Sequence, residues 1–365
     1  MVAEKLRQRI ADEGWPLGTR LPTEPELAES YAVGLNTVRR AVRILVDEGI
    51  VVRRQGSGTY VAGLPLTPRR RLLGVLVPST SYYYPRVIEG IERAATAVGA
   101  GVILASSENR LSLEQEQTRR LLDNGVDGLI LVPNLNLADD PQAHVDALRR
   151  LPVPYVLVER RPPAPTPDDP TSYVVTHHSG GVFAAIRHLV SLGHTRIGYL
   201  GRLRTGTAAV ITEGYALATA TLGTQPVPEA VVQHTEWTSR EIHDYATTCR
   251  ERGITAVFCH GDRDAALLLS HARQLGMRVP EDLAVVAYDD DIAEFGDPAL
   301  TAVAPPKSEV GALAAEFLLQ RLDRGPDTPP RRIELQPRLV VRASCGAAQA
   351  ATRSRHRTTP VTART

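Results

Sequence analysis

Residues 21–61 read LPTEPELAESYAVGLNTVRRAVRILVDEGIVVRRQGSGTYV, a pattern typical of two helices followed by a hairpin. Thr23 and Glu26 have the spacing of a capping box, which predicts a helix that begins there and runs to about Tyr31. After a turn at Gly34, apolar residues recur at intervals of three and four. This spacing predicts a second helix, ended by Gly49, with one buried face formed by Val38, Ala41, Val42, Leu45 and Val46.

The opposite face of the predicted second helix is polar and carries Asn36, Thr37, Arg39, Arg40 and Arg43. Arginine can bond guanine with two donors, asparagine can pair with adenine, and all these side chains can reach phosphate. The following hairpin, residues 50–61, adds candidates at its basic strand and glycine-containing tip: Arg53, Arg54, Gln55, Gly56 and Ser57. Arginine-rich helix faces are often only solvated surfaces, but helices, turn and basic hairpin together favour double-stranded DNA as a partner.

This region resembles the GntR family of bacterial transcription regulators in the words LGTRLPTEPELAESYAV, NTVRRAV and LVDEGIVVRRQGSGTYV, over about residues 4–62. The resemblance implies that Thr37 and Arg39 contact the operator, with the tip of the hairpin, or wing, beside them. Two departures stand out. Pro25 replaces an arginine that contacts DNA in the family, and Gly34-Leu35 replaces a polar pair at the start of the recognition helix. These changes suggest weaker affinity or an unusual operator; Leu35 either packs on a thymine methyl group or belongs to the core.

Composition and charge indicate a soluble, multidomain chain with one basic end. The 365 residues include 43% hydrophobic and 23% charged residues, which excludes a wholly disordered, collagen-like or disulfide-scaffold protein. The net charge is +4 for residues 1–71 and +4 for residues 346–365, whereas the segment between them carries −7. Such asymmetry suggests that only the first part meets a polyanion, although a solvated arginine-rich surface is an alternative. Three irregularly spaced cysteines and the lack of a signal or membrane segment predict reduced thiols and a cytoplasmic protein without a membrane partner.

From residue 72 to residue 345, short apolar runs alternate with helical patterns. The predicted strands are residues 72–77, 101–105, 128–132, 155–158, 173–175, 196–200, 230–234, 256–259 and 283–288. Continuous apolar runs are typical of strands buried on both faces, as in parallel sheets. Because this segment is too long for one small sheet, it predicts an α/β fold with two doubly wound lobes, in which ligands bind beyond the carboxyl ends of strands.

Sequence motifs of common enzymes are missing from the chain. No G-x-G-x-x-G follows a strand, and neither a P-loop with its lysine nor a G-x-S-x-G elbow occurs. The segment GRLRTG at residues 201–206 follows a strand but is only a weak phosphate-loop signal. Two short pairs, His177-His178 and Cys259-His260, lack a known metal-ligand spacing. We therefore expect no enzyme activity, no cofactor and no metal site.

Residues 72–345 resemble the effector domain of LacI/GalR regulators, which are related to periplasmic sugar-binding proteins. The matching words, in family order, include LLGVLVPS, LLDNGVDGLILVP, LPVPYVLVERR, HLVSLGHTRIGYLG, GITAVFCHGDRDAALLL and LGMRVPEDLAVVAYDDD. A GntR-type head on such a body resembles the bacterial arabinose repressors. The implied organisation is a winged helix-turn-helix at 1–63, a linker at 64–71, lobe 1 at about 72–176 and 304–328, lobe 2 at about 177–303 and 329–345, and a disordered basic tail at 346–365.

The resemblance also implies an effector site between the lobes. Tyr82, Tyr83 and Tyr84 lie in a loop that borders the cleft in this family, Trp237 takes the place of an aromatic residue that stacks on a sugar, and Asp289 matches an aspartate that binds ligand hydroxyls. A carboxylate and an aromatic ring suit a sugar, although a core or surface position is as plausible for Trp237.

Other positions depart from the family pattern. Ile211 replaces a common arginine, for which Arg202 and Arg204 are the candidate substitutes. Thr176-His177 stands where relatives often have Asp-Asn, so His177 is a candidate contact; Gly261-Asp262 replaces Asn-Asp. These changes put arabinose, or any familiar sugar, in doubt.

The sequence as a whole predicts a regulator that binds DNA and is controlled by a small sugar-like effector, most simply a repressor of carbohydrate-related genes. A homodimer is expected to bind a roughly palindromic operator, because protein symmetry is mirrored in the half-sites. The alternatives are an activator or corepressor-dependent regulator, and a sugar-binding or sugar-modifying protein.

Overall fold

The computed structural model describes residues 2–13, 15–62, 71–225 and 227–347. Contacts divide the chain into two units, Met1–Arg70 and Arg71–Thr365, and each has its own hydrophobic core. Most of the predicted linker at 64–71 and of the predicted tail at 346–365 lies outside the described residues.

The N-terminal unit is a helix–turn–helix with a hairpin. It contains α1 (Val2–Asp12), α2 (Glu24–Ser30), α3 (Leu35–Asp47) and the antiparallel strands β1 (Val51–Arg54) and β2 (Gly58–Val61). The predicted capping box is present, because the Glu26 carboxylate accepts a hydrogen bond of 2.6 Å from the Thr23 backbone N–H. Gly49, which follows the last residue of α3 after Glu48, has a φ of +71°, a conformation that glycine adopts without strain. The predicted winged helix-turn-helix is therefore confirmed.

The core of this unit joins all three helices and the hairpin. Helix α3 contributes its predicted stripe, Val38, Ala41, Val42 and Leu45, while Val46 is only partly buried at the edge of the core. Leu6 and Ile10 of α1 are fully buried against this stripe. The apolar face of α3 is therefore buried in the core of this unit, and its polar face is exposed at the surface.

Lobe 1 is a six-stranded parallel sheet with helices on both faces. Its strands are β3 (Leu72–Val77), β4 (Gly101–Ser106), β5 (Gly128–Leu131), β6 (Tyr155–Val158), β7 (Tyr173–Thr176) and β13 (Arg332–Leu335), in the order β13-β7-β6-β5-β3-β4. The helices are α4 (Tyr84–Ala97), α5 (Leu111–Asp123), α6 (Pro141–Leu148) and α11 (Lys307–Arg324). Separate apolar clusters fill the two faces, as a doubly wound sheet requires.

Lobe 2 repeats this arrangement with one antiparallel edge strand. Its strands are β8 (Ile197–Arg202), β9 (Val231–His234), β10 (Ala256–Cys259), β11 (Ala284–Tyr288), β12 (Thr301–Ala304) and β14 (Arg338–Val340), in the order β14-β12-β11-β10-β8-β9. Its helices are α7 (His178–Ser191), α8 (Ala208–Thr221), α9 (Ser239–Glu251) and α10 (Asp262–Gln274). The predicted α/β class with two doubly wound lobes is confirmed.

The chain passes between the lobes three times, and this corrects one predicted boundary. The crossings follow β7, β12 and β13. The resemblance implies that residues 329–345 belong to lobe 2, but β13 pairs in parallel with β7 of lobe 1, with Glu334 opposite Val175. Only the segment after β13 belongs to lobe 2. Strand β13 has an alternating, half-polar pattern because it lies at a sheet edge, so it lacks the continuous apolar run that predicts a buried strand.

Helices α4 and α11 of lobe 1 cross at unusually short range. A Cβ atom on Gly90 would lie 1.9 Å from the Ser308 carbonyl oxygen, and one on Gly311 would lie 2.0 Å from the Val87 carbonyl oxygen. Only glycine allows two helix backbones to approach this closely. This contact fixes α4, and with it the tyrosine loop that precedes the helix.

Candidate DNA-binding surface and effector cavity

The polar face of α3 is exposed along its length. Asn36, Thr37, Arg39, Arg40 and Arg43 all reach solvent, while Val38, Ala41, Val42 and Leu45 on the other face are buried. Leu35 is 37% exposed at the start of the helix, so it belongs to this surface rather than to the core. The helix therefore offers donors and one apolar group on a single face, which is the chemistry that reads a major groove.

The hairpin places its predicted residues beside one another at an exposed tip. Gln55, Gly56 and Ser57 are exposed, and Gly56 has a φ of +73°. Tyr60 supports the tip, since its hydroxyl oxygen lies 2.6 Å from Ser57 Oγ and its ring lies 4.9 Å below the Arg54 guanidinium. The tip is held by these contacts rather than by burial.

Glu24 links α3 to the hairpin and was not singled out from the sequence. Its two carboxylate oxygens lie 3.0 Å from Arg39 Nε and 2.6 Å from Arg53 Nη2. One acid on α2 thus holds two of the predicted DNA contacts in place. A signal was available, because Glu24 stands inside the capping motif directly before Pro25.

A cavity of about 570 Å³ lies between lobe 1 and lobe 2, within the size range of small-molecule sites. Six of the predicted residues line it: Tyr82, Tyr83, Tyr84, Asp289, Arg202 and Arg204. The cavity is also lined by several polar residues that the sequence reading missed: Glu159, Arg160, His260, Arg263 and Asp264. Most of these follow the carboxyl ends of strands, which is where open α/β sheets bind ligands.

The three tyrosines have different partners around this cavity. Tyr82 crosses between lobes and donates a hydrogen bond of 2.6 Å to Asp262 of lobe 2, while Tyr83 donates one of 2.6 Å to Glu159 within lobe 1. Burial, assisted by Asp289 and Asp262, raises the pKa of Tyr82. The hydroxyl therefore stays protonated and acts as a donor. The Tyr84 ring packs edge-on against Tyr83, with the centroids 5.3 Å apart.

Asp289 occupies the end of β11 in a strained conformation, with a φ of +89°. Strained residues of this kind concentrate at functional sites. Burial raises the pKa of Asp289 to about 7; Asp262 and Asp291 add to the rise, and Lys307 opposes it. The Lys307 ammonium lies 2.7 Å from Asp291 and also donates to the Asp289 carbonyl oxygen, at 2.6 Å. A carboxyl group in this setting can accept from ligand hydroxyls or, when protonated, donate one hydrogen bond.

Arg202 is already engaged by an acid. Its guanidinium forms two hydrogen bonds, of 2.6 and 2.8 Å, to the buried carboxylate of Asp264. Arg202 can therefore replace the family arginine only through the part of its guanidinium that faces the cavity and is not bonded to Asp264. Ile211, at the position of that arginine, is buried in the core of lobe 2.

Two predicted effector contacts lie elsewhere and are corrected. Trp237 is only 8% exposed, packs in the core of lobe 2, and donates its indole N–H to the Gly201 carbonyl oxygen at 2.7 Å. His177 is exposed at the start of α7, where a ring nitrogen lies 3.0 Å from the Gln336 side-chain oxygen. Neither residue lines the cavity. The position of Trp237 corresponds to an aromatic residue of the family and that of His177 to a departure from it, but both side chains contact other groups of the protein.

Glu159 forms the centre of a buried network at one crossing between the lobes. Its carboxylate accepts from Tyr83, from the Thr176 backbone N–H and from the Thr176 hydroxyl, and His178 Nε2 lies 3.2 Å away. Burial opposes ionisation, but the His178, Tyr83 and Thr176 contacts prevail and lower the pKa of Glu159 to about 2. His178 Nδ1 also lies 2.8 Å from the Tyr288 hydroxyl oxygen in lobe 2. The network therefore ties the tyrosine loop to the crossing.

Two further observations concern other kinds of site. Within the described part of the chain, no helix has the length and apolar character needed to cross a bilayer. The same residues contain no group of three His, Cys, Asp or Glu side chains placed to hold a metal ion.

Known protein families match both units. The family described as bacterial regulatory proteins, gntR family, matches residues 1–61, and the periplasmic binding protein-like domain matches residues 186–345. Both resemblances noted from the sequence are thereby confirmed.

Individual relatives align over most of the chain. An arabinose metabolism transcriptional repressor from Geobacillus stearothermophilus is 30% identical over 348 residues, covering 89% of this chain and 91% of the relative. The regulator MalR of Streptomyces coelicolor is 34% identical, covering 78% and 84%. The solved structure of a regulator CelR–cellobiose complex is 27% identical, with a TM-score of 0.62, covering 89% of this chain and 100% of the other. The chain therefore belongs to the family of bacterial transcriptional regulators that join a GntR-type DNA-binding domain to a periplasmic binding protein-like domain.

Proposed function

We propose that this protein is a repressor of carbohydrate-related genes that leaves its operator when a sugar-like effector occupies the cavity between the lobes. One observation carries the proposal: a chain with an exposed recognition face on α3 also has a polar cavity of about 570 Å³ between two lobes. The names of relatives, a repressor of arabinose metabolism and a regulator in complex with cellobiose, support a repressor that responds to a sugar.

In the proposed mechanism, α3 enters the major groove and the hairpin tip meets the flanking phosphates. Arg39 and Asn36 are the candidate base contacts, and Thr37, Arg40, Arg43, Arg53, Arg54, Gln55, Gly56 and Ser57 position the domain on the duplex. Two copies of the chain bind as a homodimer, so the operator is roughly palindromic.

The effector acts through the bonds that join the lobes. Tyr82 of lobe 1 bonds Asp262 of lobe 2, and the Asn136 side chain donates to the Arg204 carbonyl oxygen at 2.7 Å. A ligand that binds groups of both lobes at once favours one spacing between the lobes. This spacing sets the affinity of the protein for DNA. A coupling free energy of about 1–3 kcal/mol would change operator affinity about 5–150-fold, and DNA would weaken effector binding by the same factor.

The experiment begins with the full-length chain selecting duplexes from a random library, which defines the operator. Fluorescence anisotropy then compares the native chain with Arg39→Ala and with a matched control, Arg240→Ala, which removes an exposed arginine from lobe 2. Loss of a base-contacting arginine should weaken binding by about 1–3 kcal/mol and relax specificity at one position. Selected duplexes without a common sequence, or equal binding by the two variants, would contradict the proposal.

The sign of control is tested with the same duplex. Sugars that raise the melting temperature of the native chain are added to the complex, and release of DNA is the expected result. Tighter DNA binding on addition of the same sugar would instead establish corepressor-dependent regulation.

A further inference from the structure

We propose that the effector is an anionic sugar derivative, with a carboxylate or phosphate group that binds Arg160 and hydroxyl groups that reach the carboxyl side chains of the same cavity. This inference rests on the proposed role of the cavity as the effector site. The inference specifies that the effector carries a negative charge and that Arg160 binds this charge.

Arg160 is a buried cation at the wall of the cavity. The side chain lies directly after β6, lines the cavity and is only 8% exposed. One terminal nitrogen donates to the Glu159 carbonyl oxygen at 2.6 Å, the other lies 3.5 Å from the Tyr84 hydroxyl, and Nε has no hydrogen-bond partner. Among the described residues, no carboxylate forms an ion pair with this guanidinium. Buried charges are normally paired, so an unpaired one at a cavity wall indicates that the ligand supplies the partner.

Two carboxylates that line the same cavity are already bound to other groups. Glu159, its neighbour in sequence, is held by Tyr83, Thr176 and His178. Asp264 is bound in two places by Arg202. Neither carboxylate can neutralise Arg160 without giving up these contacts, so the positive charge remains available to the cavity.

The wall facing Arg160 belongs to lobe 2 and is also suited to an anion. A Cβ atom on Gly206 would lie only 1.8 Å from a terminal nitrogen of Arg160, so the guanidinium is seated directly against this glycine. Gly206 ends the GRLRTG segment, which leads into α8, and Thr205 and Thr207 of the same loop line the cavity. The N-terminus of a helix carries free backbone N–H groups and a partial positive charge, which favour an anion. A guanidinium and a helix start therefore converge from opposite lobes.

The rest of the cavity supplies acceptors for hydroxyl groups. Asp289 lines it at the end of β11, and Glu236 lines it at the end of the loop after β9. A simple dicarboxylate or inorganic phosphate would leave such acceptors facing water, whereas a hydroxylated ligand with one acidic group satisfies both kinds of site. A sugar phosphate and a sugar acid share this chemistry.

The first test uses inorganic phosphate as the probe. Melting temperatures of the native chain, Arg160→Met and Arg160→Lys are compared in phosphate and in chloride at equal ionic strength. The native chain should gain stability in phosphate, the lysine variant should retain part of the gain, and the methionine variant should lose it. Arg240→Met is the matched control, because it removes an exposed arginine of lobe 2 that does not line the cavity, and it should leave the gain unchanged. Equal gains in the native chain and Arg160→Met would overturn the proposal.

The second test separates the two sources of the anion and also covers the proposed function. Calorimetric titrations compare neutral aldoses with their phosphates and with the corresponding sugar acids, each also tested for release of DNA. A preferred anionic ligand should bind the native chain at least about tenfold more tightly than its neutral parent, and this preference should vanish in Arg160→Met. Gly206→Ala, which displaces the guanidinium, should reduce it as well.

The two proposals fail differently. Release of DNA by neutral sugars that bind the native chain and Arg160→Met equally well would overturn the anionic effector and leave the regulator standing. Binding of an anionic sugar without any change in DNA affinity would support the assignment of Arg160 and contradict control of DNA binding through the cavity.

Discussion

Glu24 Oε2 lies 3.0 Å from Arg39 Nε, so an acid on α2 holds the arginine that α3 presents at its exposed face. The other oxygen of the same carboxylate holds Arg53 of the hairpin. The negative charge positions both cations, and we expect it to weaken their attraction to the phosphates of random DNA.

Glu24→Gln should therefore strengthen non-specific binding and narrow the difference between operator and random DNA. The two freed arginines can each contact a phosphate. Each added phosphate contact makes the slope of log affinity against log salt concentration more negative by about 0.9. Stability should change by less than about 1 kcal/mol, since exposed ion pairs contribute little. Anisotropy titrations at several salt concentrations measure both effects. Glu13→Gln, which breaks an exposed pair with Arg9, is the control and should leave the salt slope unchanged.

Arg202→Met should destabilise the large unit, because it leaves the buried carboxylate of Asp264 without its two hydrogen bonds. Because Asp264 is buried but Arg202 is partly exposed, the loss of these bonds is expected to lower the free energy of unfolding by about 1–3 kcal/mol. Urea unfolding measures the loss. The double variant Arg202→Met/Asp264→Leu should recover much of it; a double variant as unstable as the single one would show that the pair is not the cause.

The raised pKa of Asp289 makes a prediction about pH. The folded state holds this proton up to about pH 7, whereas an unfolded aspartate loses it near pH 4. The contribution of Asp289 to stability is therefore present below about pH 4 and is lost as the pH rises to about 7. Asp289→Asn should remove this dependence of the free energy of unfolding on pH, and it should be more stable than the native chain at pH 8. Urea unfolding of both proteins at pH 5 and pH 8 measures the difference.

Neighbouring groups allow the pH prediction to be checked. Glu159 has a lowered pKa of about 2, so its contribution changes only below the range in question. The pKa of Asp291 is also raised, chiefly through burial. The free energy of unfolding of Asp289→Asn should therefore keep a smaller dependence on pH. An unchanged slope in Asp289→Asn would mean that Asp289 is ionised throughout this range.

Gly90→Ala should destabilise lobe 1 by at least about 1–3 kcal/mol, because the new methyl group meets the Ser308 carbonyl oxygen and the helices must separate. Thr96→Ala, on the exposed side of the same helix, is the matched control and should change stability little. The two melting temperatures decide the matter; similar values would show that α4 and α11 can move apart freely.

The sequence predicted features that depend on neighbours along the chain. The capping box at Thr23, the buried stripe of α3 and most parallel strands follow from local spacing, because burial of one face selects those residues directly. The tyrosine loop and Asp289 were identified through the resemblance to LacI/GalR effector domains, and both line the cavity.

What could not be predicted depends on contacts between distant segments. Whether Trp237 faces a ligand or the core is decided by its bond to Gly201, 36 positions away in the chain. The isolation of Arg160 likewise depends on how Tyr83, Thr176 and His178 occupy the Glu159 carboxylate. A partial signal existed, because Glu159-Arg160 directly follows the predicted strand at 155–158, at the end of a sheet where ligands bind.

The three crossings between the lobes also constrain how this architecture can be inherited. The N-terminal unit is one continuous piece of chain, so a single recombination junction can attach it to another protein or replace it. Each lobe is assembled from separated segments, and exchanging one lobe would require several simultaneous junctions at matching positions. Gene fusion can therefore change the DNA that is read in a single event, whereas the sensor must diversify residue by residue at the walls of its cavity.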